Sequence, residues 1–205
     1  MQNFVNLLVK VVPGLFETFC IDYRELTRPQ ITICFFKQEC LLLFIFYIKL
    51  YSRFLLNCLV DMTAVDWLGS ELTHLGFSQK LEYGRFQLVY NLLSYYFNFR
   101  IRLAFFIDEW TTVSSISFLF KVANWLEREV WDMFGIFFNN HLDLRRILTD
   151  YGFSGFPLRK DFPLSGYEEV RYDEISKGIT YEKVELSQEM RTFDSLNPWV
   201  IYSIT

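Results

Sequence analysis

The sequence lacks the closely spaced cysteines and histidines from which protein metal sites are usually built. Its two histidines, His74 and His141, stand far apart, and no two of its four cysteines form a CxxC pair. Because zinc and iron–sulfur sites depend on such spacings, the sequence argues against either site being built from this chain alone. We predict free, buried thiols in a reducing compartment. The cysteines are Cys20, Cys34, Cys40 and Cys58.

Long apolar runs are also missing. The longest one, residues 40–48, ends at Lys49 and is much shorter than the roughly 20 residues that a membrane-spanning helix needs. Residues 1–16 carry one cation and lack the arginine- and serine-rich pattern of an organellar import peptide. We therefore expect no membrane span, and a protein that is used where it is made or has already lost a presequence.

Positive charge is not in excess, whereas aromatic residues are abundant. The chain of 205 residues has a formal charge of −4, which argues against a nucleic acid partner, since phosphate binding depends on cations. It contains 23 Phe and 12 Tyr and is 52% hydrophobic. Two compatible explanations for this excess of Phe and Tyr are apolar surface buried against a partner and the codon bias of an AT-rich organellar genome.

Hydrophobic periodicity predicts an α+β fold with a mostly antiparallel sheet and packed helices. Over residues 15–130, helical and strand patterns are interleaved with short connections. Ser114 or Ser115 is the expected N-cap of the last helix, and a kink is expected near Asp61. The predicted helices cover residues 3–12, 37–51 and 112–130, and the predicted strands cover residues 31–36, 54–67, 85–95 and 100–107.

The chain after residue 134 has no regular period, although its aromatic residues remain frequent. An irregular segment of this length is unusual in a compact domain, and one this aromatic is not expected to stay solvated. We therefore predict two parts. Residues 1–134 form the α+β core domain, in which residues 1–30 are an N-terminal helix and lead-in, and residues 135–205 form an extended segment that wraps a partner.

One stretch is particular enough to indicate a family. Residues 123–173 interleave charged and aromatic side chains, beginning ANWLEREVWDMFG and continuing through HLDLRR and GFPLRKDF. This stretch resembles the signature of the thirty-kilodalton subunit family of respiratory complex I, which is the NuoC type in bacteria and NADH dehydrogenase subunit 9 where mitochondria encode it. The resemblance extends over roughly residues 30–200, including residues 59–67, 86–94, 100–103 and 184–199.

The resemblance implies a non-catalytic, cofactor-free scaffold subunit of the quinone-reducing peripheral arm of proton-pumping NADH:ubiquinone oxidoreductase. Its C-terminal segment is expected to extend over the forty-nine-kilodalton subunit, while NADH, FMN, iron–sulfur clusters and ubiquinone are expected on other subunits. The expected place is the matrix-facing arm at the mitochondrial inner membrane, with membrane contact only through the complex and an organelle-encoded gene. The alternatives are an independent soluble enzyme and a related subunit of a membrane-bound hydrogenase.

The interface with the forty-nine-kilodalton subunit is expected to use arginine and aromatic side chains, which are enriched in interfaces. Two residues depart from the family pattern, because Leu142 stands where proline is common and Phe156 where histidine is common. A role of that histidine is therefore not carried over. The expected interface residues are Trp131, Phe134, Arg145, Arg146, Tyr151, Phe156, Pro157, Leu158, Arg159, Lys160, Phe162, Pro163, Tyr167, Arg171 and Tyr172.

The charged residues of this stretch allow two interpretations. Glu127, Glu129 and Asp132 suit either acid–base catalysis or structural ion pairing, and their helical spacing favours ion pairing. His141 is predicted to be an ordinary hydrogen-bonding residue rather than a proton donor. Ion pairing is also favoured over phosphate binding for the arginine pairs and their acidic neighbours, which are Arg145, Arg146, Arg159 and Lys160 with Asp143, Asp150 and Asp161.

Overall fold

A computed structural model describes part of the chain and divides it into two compact units. The described residues are 18–22, 30–35, 41–52, 55–69, 84–191 and 193. The first unit ends at Phe162 and the second begins at Pro163. The helix predicted over residues 3–12 lies outside the described residues, as does His74.

The first unit contains a five-stranded sheet in the order β1-β2-β5-β4-β3. Strands β2 and β5 are parallel, and the other neighbouring pairs of this sheet are antiparallel. The predicted α+β class with a mostly antiparallel sheet is therefore confirmed. The strands are β1 Thr18–Asp22, β2 Gln30–Phe35, β3 Cys58–Asp66, β4 Phe86–Ser94 and β5 Phe99–Ile107.

One face of this sheet carries the core. Alternate residues of β3, β4 and β5 are buried in register, so that Met62, Tyr90 and Leu103 lie side by side. The helices α1 (Leu41–Leu50) and α2 (Ala123–Phe134) contribute to the same core cluster. The strand register shifts between Leu59 and Asp61, which confirms the predicted kink.

The predicted helix over residues 112–130 is wrong in its first half. Residues 113–114 form a short strand, β6 (Val113–Ser114), which pairs in parallel with β7 (Phe138–Asn139). Helix α2 begins only at Ala123, and its N-cap, Val122, makes no side-chain capping bond. The predicted Ser114 or Ser115 cap is therefore wrong, because pairing with a distant segment overrides local helix propensity.

The segment after α2 lies within the first unit rather than outside the core. Ile136 and Phe138 are buried, and the Leu158 N–H donates to the Met133 carbonyl oxygen at 3.1 Å. The predicted boundary after residue 134 thus differs from the observed boundary after Phe162. The physical reason is that carboxylates of the core satisfy the backbone of this irregular segment, as described below.

The second unit contains a two-stranded antiparallel hairpin. Strand β8 (Glu168–Asp173) pairs with β9 (Gly178–Lys183), and we call these two strands the tail hairpin. An isolated two-stranded hairpin is marginally stable in water at best. Further packing partners are therefore expected for it.

Candidate partner interface

Asp132 holds the irregular segment that follows α2. This buried carboxylate accepts hydrogen bonds from the N–H groups of Ile147, Leu148 and Thr149 at 3.2, 2.8 and 3.0 Å, and Arg146 Nη1 lies 3.0 Å from its Oδ1. Burial alone would raise the pKa of Asp132, but the hydrogen bonds from Thr149 and the neighbouring amides outweigh it and lower the pKa. The carboxylate is therefore ionised at neutral pH and acts as a structural anchor.

Asp66 anchors the same segment from the sheet. It sits at the end of β3 on the buried face and accepts two hydrogen bonds from Arg85, at 2.8 and 3.1 Å. The backbone N–H of Lys160 donates to Asp66 Oδ2 at 2.9 Å. Burial tends to raise the pKa of Asp66, yet the hydrogen bonds from Arg85 and Lys160 lower it overall. We call residues 140–162, which these two carboxylates hold, the anchored segment.

Arg85 and Arg159 extend the Asp66 contact into a network of charges. Arg85 also pairs with Asp161 at 3.0 Å and with Glu109 at 3.4 Å. Arg159 pairs with Glu109, and its Nε donates to the Phe134 carbonyl oxygen at 2.7 Å. The network ties the end of β3, the residue before β4, the loop after β5 and the end of the anchored segment to one another. The predicted pairing of Asp161 is confirmed, with Arg85 as its partner.

Gly135 allows the anchored segment to approach the end of α2. It terminates the helix with a left-handed φ of 77°, which favours glycine. A Cβ at this position would lie 2.6 Å from Arg159 Nη2 and 2.7 Å from the Phe156 ring. The Phe156 ring in turn faces the Arg159 guanidinium at 4.4 Å and the Arg146 guanidinium at 5.4 Å.

Glu127 has no arginine or lysine among its described partners, and the predicted ion pairing stays a prediction for this residue. Its carboxyl group is buried and accepts bonds from Ser115 Oγ at 2.6 Å and the Ile116 N–H at 2.7 Å. Burial raises its pKa to about 7, although these two hydrogen bonds oppose the rise. His141 Nε2 lies 3.7 Å from the carboxylate and 3.3 Å from the Asn124 carbonyl oxygen, which fits the predicted hydrogen-bonding role.

The predicted interface residues fall into an internal group and an exposed group. Phe134 is buried in the core, Trp131 is half-buried against Phe137 and Phe156, and Arg146 and Arg159 make the internal contacts described above. Pro157, Phe162 and Pro163 are half-buried. The exposed group comprises Arg145, Tyr151, Leu158, Lys160, Tyr167, Arg171 and Tyr172.

The tail hairpin has two chemically different faces. Cross-strand pairing places Val170 opposite Tyr181 and Tyr172 opposite Ile179, so these four apolar side chains share one face. All four are exposed, with Tyr172 at 60% and Ile179 at 68%. On the other face, Arg171 binds both carboxylate oxygens of Glu182, at 2.6 and 2.7 Å. The charged face is therefore satisfied within the hairpin, whereas the apolar face remains open.

Sequence reasoning did not identify Asp66, Arg85 and Glu109 as anchors. One signal was available for Asp66, since the period of two in β3 places it on the same face as the buried residues Met62 and Ala64. A carboxylate at such a position needs a buried partner. The identity of that partner, a backbone N–H in the anchored segment, has no local sequence signal.

Comparison with known proteins assigns the chain to a family. Residues 36–168 match the family described as respiratory-chain NADH dehydrogenase, 30 Kd subunit. The chain belongs to this family. The matched range contains both anchoring carboxylates, all three β3–β5 strands and the anchored segment, but it ends at the start of the tail hairpin.

Full-length relatives support the same assignment. The chain is 43% identical to NADH-ubiquinone oxidoreductase subunit 9 of Reclinomonas americana, over 97% of this chain and 89% of the relative. It is 44% identical to the subunit 9 of Prototheca wickerhamii, over 97% of this chain and 94% of that protein. It is 50% identical to the NADH-quinone oxidoreductase C subunit of Paramagnetospirillum magneticum, over 75% of this chain and 71% of that protein.

A solved structure shares the fold. A chain of the membrane-bound sulfane sulfur reductase, an archaeal respiratory membrane complex, matches with a TM-score of 0.57 at 19% identity, covering 80% of this chain and 85% of that one. In the described part of this chain, no helix is both long and apolar enough to cross a membrane. Within the same residues, no group of three or more potential metal-ligating side chains is found.

Proposed function

We propose that this chain is a non-catalytic subunit of proton-pumping NADH:ubiquinone oxidoreductase that scaffolds the forty-nine-kilodalton subunit in the quinone-reducing peripheral arm. It takes part in the enzyme's reaction only as a member of the complex and binds no cofactor itself. NADH, FMN, iron–sulfur clusters and ubiquinone are held by other subunits. The proposed place is the matrix side of the mitochondrial inner membrane, since two close relatives carry the name subunit 9 of this enzyme.

The open apolar face of the tail hairpin is the observation that carries this proposal. Four exposed apolar side chains on a two-stranded sheet are unfavourable in water, and the hairpin satisfies only its charged face internally. A groove of about 870 Å³ runs beside the hairpin and includes the apolar residues Leu164, Val184, Leu186 and Met190 in its lining. The face and the groove together offer an apolar surface for a partner protein.

The anchored segment supplies a second, rigid part of the interface. Because Asp66 and Asp132 fix its backbone, its outward side chains are held in place before a partner arrives, which reduces the entropy lost on binding. Leu148, Tyr151 and Leu158 are exposed on it, and the Arg145 side chain is 58% exposed beside Asp143. Its internal contacts explain why arginine and aromatic residues recur there without all of them touching a partner.

Capture of partners from native membranes tests the proposal. A double substitution on the apolar face, Tyr172→Ser with Ile179→Ser, should sharply reduce recovery of the forty-nine-kilodalton subunit with the tagged chain. The matched control exchanges the charges of the other face, Arg171→Glu with Glu182→Arg, and should keep normal recovery because the ion pair is preserved. Both variants should leave the unfolding free energy within about 0.5 kcal/mol of the wild type, because the substituted side chains are exposed.

A related subunit of another membrane-bound respiratory complex is the second candidate. The fold shared with an archaeal respiratory membrane complex favours it over an independent soluble enzyme. The same capture experiment separates the three cases by mass identification of the large subunit that is recovered. Recovery of a hydrogenase-type large subunit would favour the second candidate. A stable monomer with turnover of its own, and with no partner recovered, would contradict both scaffold proposals.

A further inference from the structure

Glu127 occupies a buried polar pocket that neither the core nor the proposed interface explains. The carboxyl group projects from α2 towards the stretch after β6, and its side chain is fully buried. The titratable groups that face it from the surrounding elements are Tyr90 on β4 and His141 after β7. The Tyr90 hydroxyl is buried and makes no hydrogen bond within the described part of the chain.

His141 lies beside Glu127 and has hydrogen-bonding partners of its own. The Asp143 N–H donates to His141 Nδ1 at 3.1 Å, and His141 Nε2 lies 3.3 Å from the Asn124 carbonyl oxygen. His141 Nε2 lies 3.7 Å from the Glu127 carboxylate, which is beyond hydrogen-bonding distance, so the serine and amide contacts are the close ones.

Two serine hydroxyl groups connect the buried carboxyl group to the surface. Ser115 Oγ lies 2.6 Å from Glu127 Oε2 and 2.8 Å from Ser117 Oγ, and the Ser117 N–H donates to Ser115 Oγ at 3.1 Å. Ser117 is half-buried, so this chain of hydroxyl groups ends near solvent. Because a hydroxyl group both donates and accepts, the hydrogen bonds that link Ser117, Ser115 and Glu127 form in either direction.

We propose that Glu127 is a buried proton-binding site, and that Ser115 and Ser117 form a reversible hydroxyl chain that serves it. When Glu127 is ionised, Ser117 donates to Ser115 and Ser115 donates to Glu127 Oε2. When Glu127 gains a proton on Oε2, it donates to Ser115, and Ser115 donates to Ser117. The hydrogens on Ser115 and on the carboxyl group then have acceptors within the pocket in both states, and the Ser117 hydrogen, released in the protonated state, lies at the half-buried end of the hydroxyl chain near solvent.

The expected consequence is that stability depends on pH near neutrality. The pKa of Glu127 rises from its ordinary value of 4.5 to about 7 on folding because of burial. A raised pKa gives stability that is fully present below the unfolded value and is lost as pH rises through the folded value. From well below pH 4.5 to well above pH 7, the unfolding equilibrium constant of the wild type should rise on the order of 300-fold relative to Glu127→Gln, which mimics the protonated state.

Carbon-13 NMR titration of the Glu127 side-chain carboxyl group in the full-length chain tests the site directly. Its resonance is assigned by connectivity, so the measurement does not depend on a Glu127 variant that folds. We expect a midpoint near pH 7. A midpoint near the ordinary value of 4.5 would overturn the proposal.

Serine substitutions separate the hydroxyl chain from a merely polar pocket. Ser115→Ala removes a donor to the ionised carboxylate and should raise the midpoint. Ser117→Ala removes the acceptor that Ser115 needs in the protonated state and should lower it. Ser114 is next to Ser115 in sequence but is not part of the hydroxyl chain, so Ser114→Ala should leave the midpoint unchanged. Equal shifts in Ser115→Ala and Ser117→Ala, or none in either, would overturn the role of the hydroxyl chain.

Discussion

Replacing Asp132 with asparagine removes the charge that holds the start of the anchored segment. One Asp132 oxygen accepts three amide N–H groups, and the other faces Arg146, whose side chain is only 18% exposed. If the asparagine oxygen keeps the three amides, its NH₂ group faces the Arg146 guanidinium, and a charge-assisted bond is lost. If the asparagine amide flips so that its NH₂ group takes the place of that oxygen, the three backbone N–H groups lose their acceptor. Either arrangement should cost about 3 kcal/mol, at the low end for breaking a buried ion pair.

Urea unfolding of the full-length chain measures this loss, and trypsin reports where it acts. Asp132→Asn should lower the unfolding free energy by that amount and speed cleavage after Arg145 and Arg146. The matched control is Glu129→Gln, an exposed carboxylate on the same helix, which should change the free energy by less than about 0.5 kcal/mol. An Asp132→Asn variant as stable and as protease-resistant as the control would refute the anchoring role.

The other anchoring contacts predict separate outcomes. Because folding lowers the pKa of Asp66, its contribution to the unfolding free energy is full at neutral pH and is lost below about pH 4. Asp66→Asn should therefore make the unfolding free energy, measured by urea unfolding, fall less steeply at acid pH. Gly135→Ala should cost about 2 kcal/mol in the same assay, whereas Gly152→Ala, whose Cβ meets nothing within 4 Å, should cost little. Arg145→Glu should reduce recovery of the forty-nine-kilodalton subunit without unfolding the chain, while Arg146→Glu should destabilise the chain itself by at least about 3 kcal/mol. Equal loss of stability in both arginine variants would contradict the division into exposed and internal arginines.

The elements that sequence predicted well are those whose pattern is local. Residues 85–95 and 100–107 alternate apolar and polar side chains, and β4 and β5 lie largely within those ranges. The stretch 37–51 is apolar and too long for one strand, and α1 lies within it. The start of α2 was misplaced because β6 is stabilised by β7, which lies more than twenty residues later in the chain.

The candidate site was predictable in type but not in geometry. The resemblance of residues 123–173 indicated the family, which the matched range confirms. Structural pairing of Asp132 was also correctly predicted, with Arg146 as the partner. The contact between Asp66 and the Lys160 N–H spans 94 residues, and the partners of Glu127 are a hydroxyl group and an amide. Such contacts depend on where the fold places the backbone, which no local residue pattern encodes.

Hydrogen exchange across the tail hairpin tests the scaffold role most directly. The backbone amides of residues 168–183 are measured by mass spectrometry in the free chain and in the complex isolated from native membranes. If a partner covers the apolar face, the free hairpin should exchange quickly and the assembled hairpin slowly, while β4 and β5 should be protected in both states. Equal exchange of the hairpin in the free and assembled chain would contradict the account.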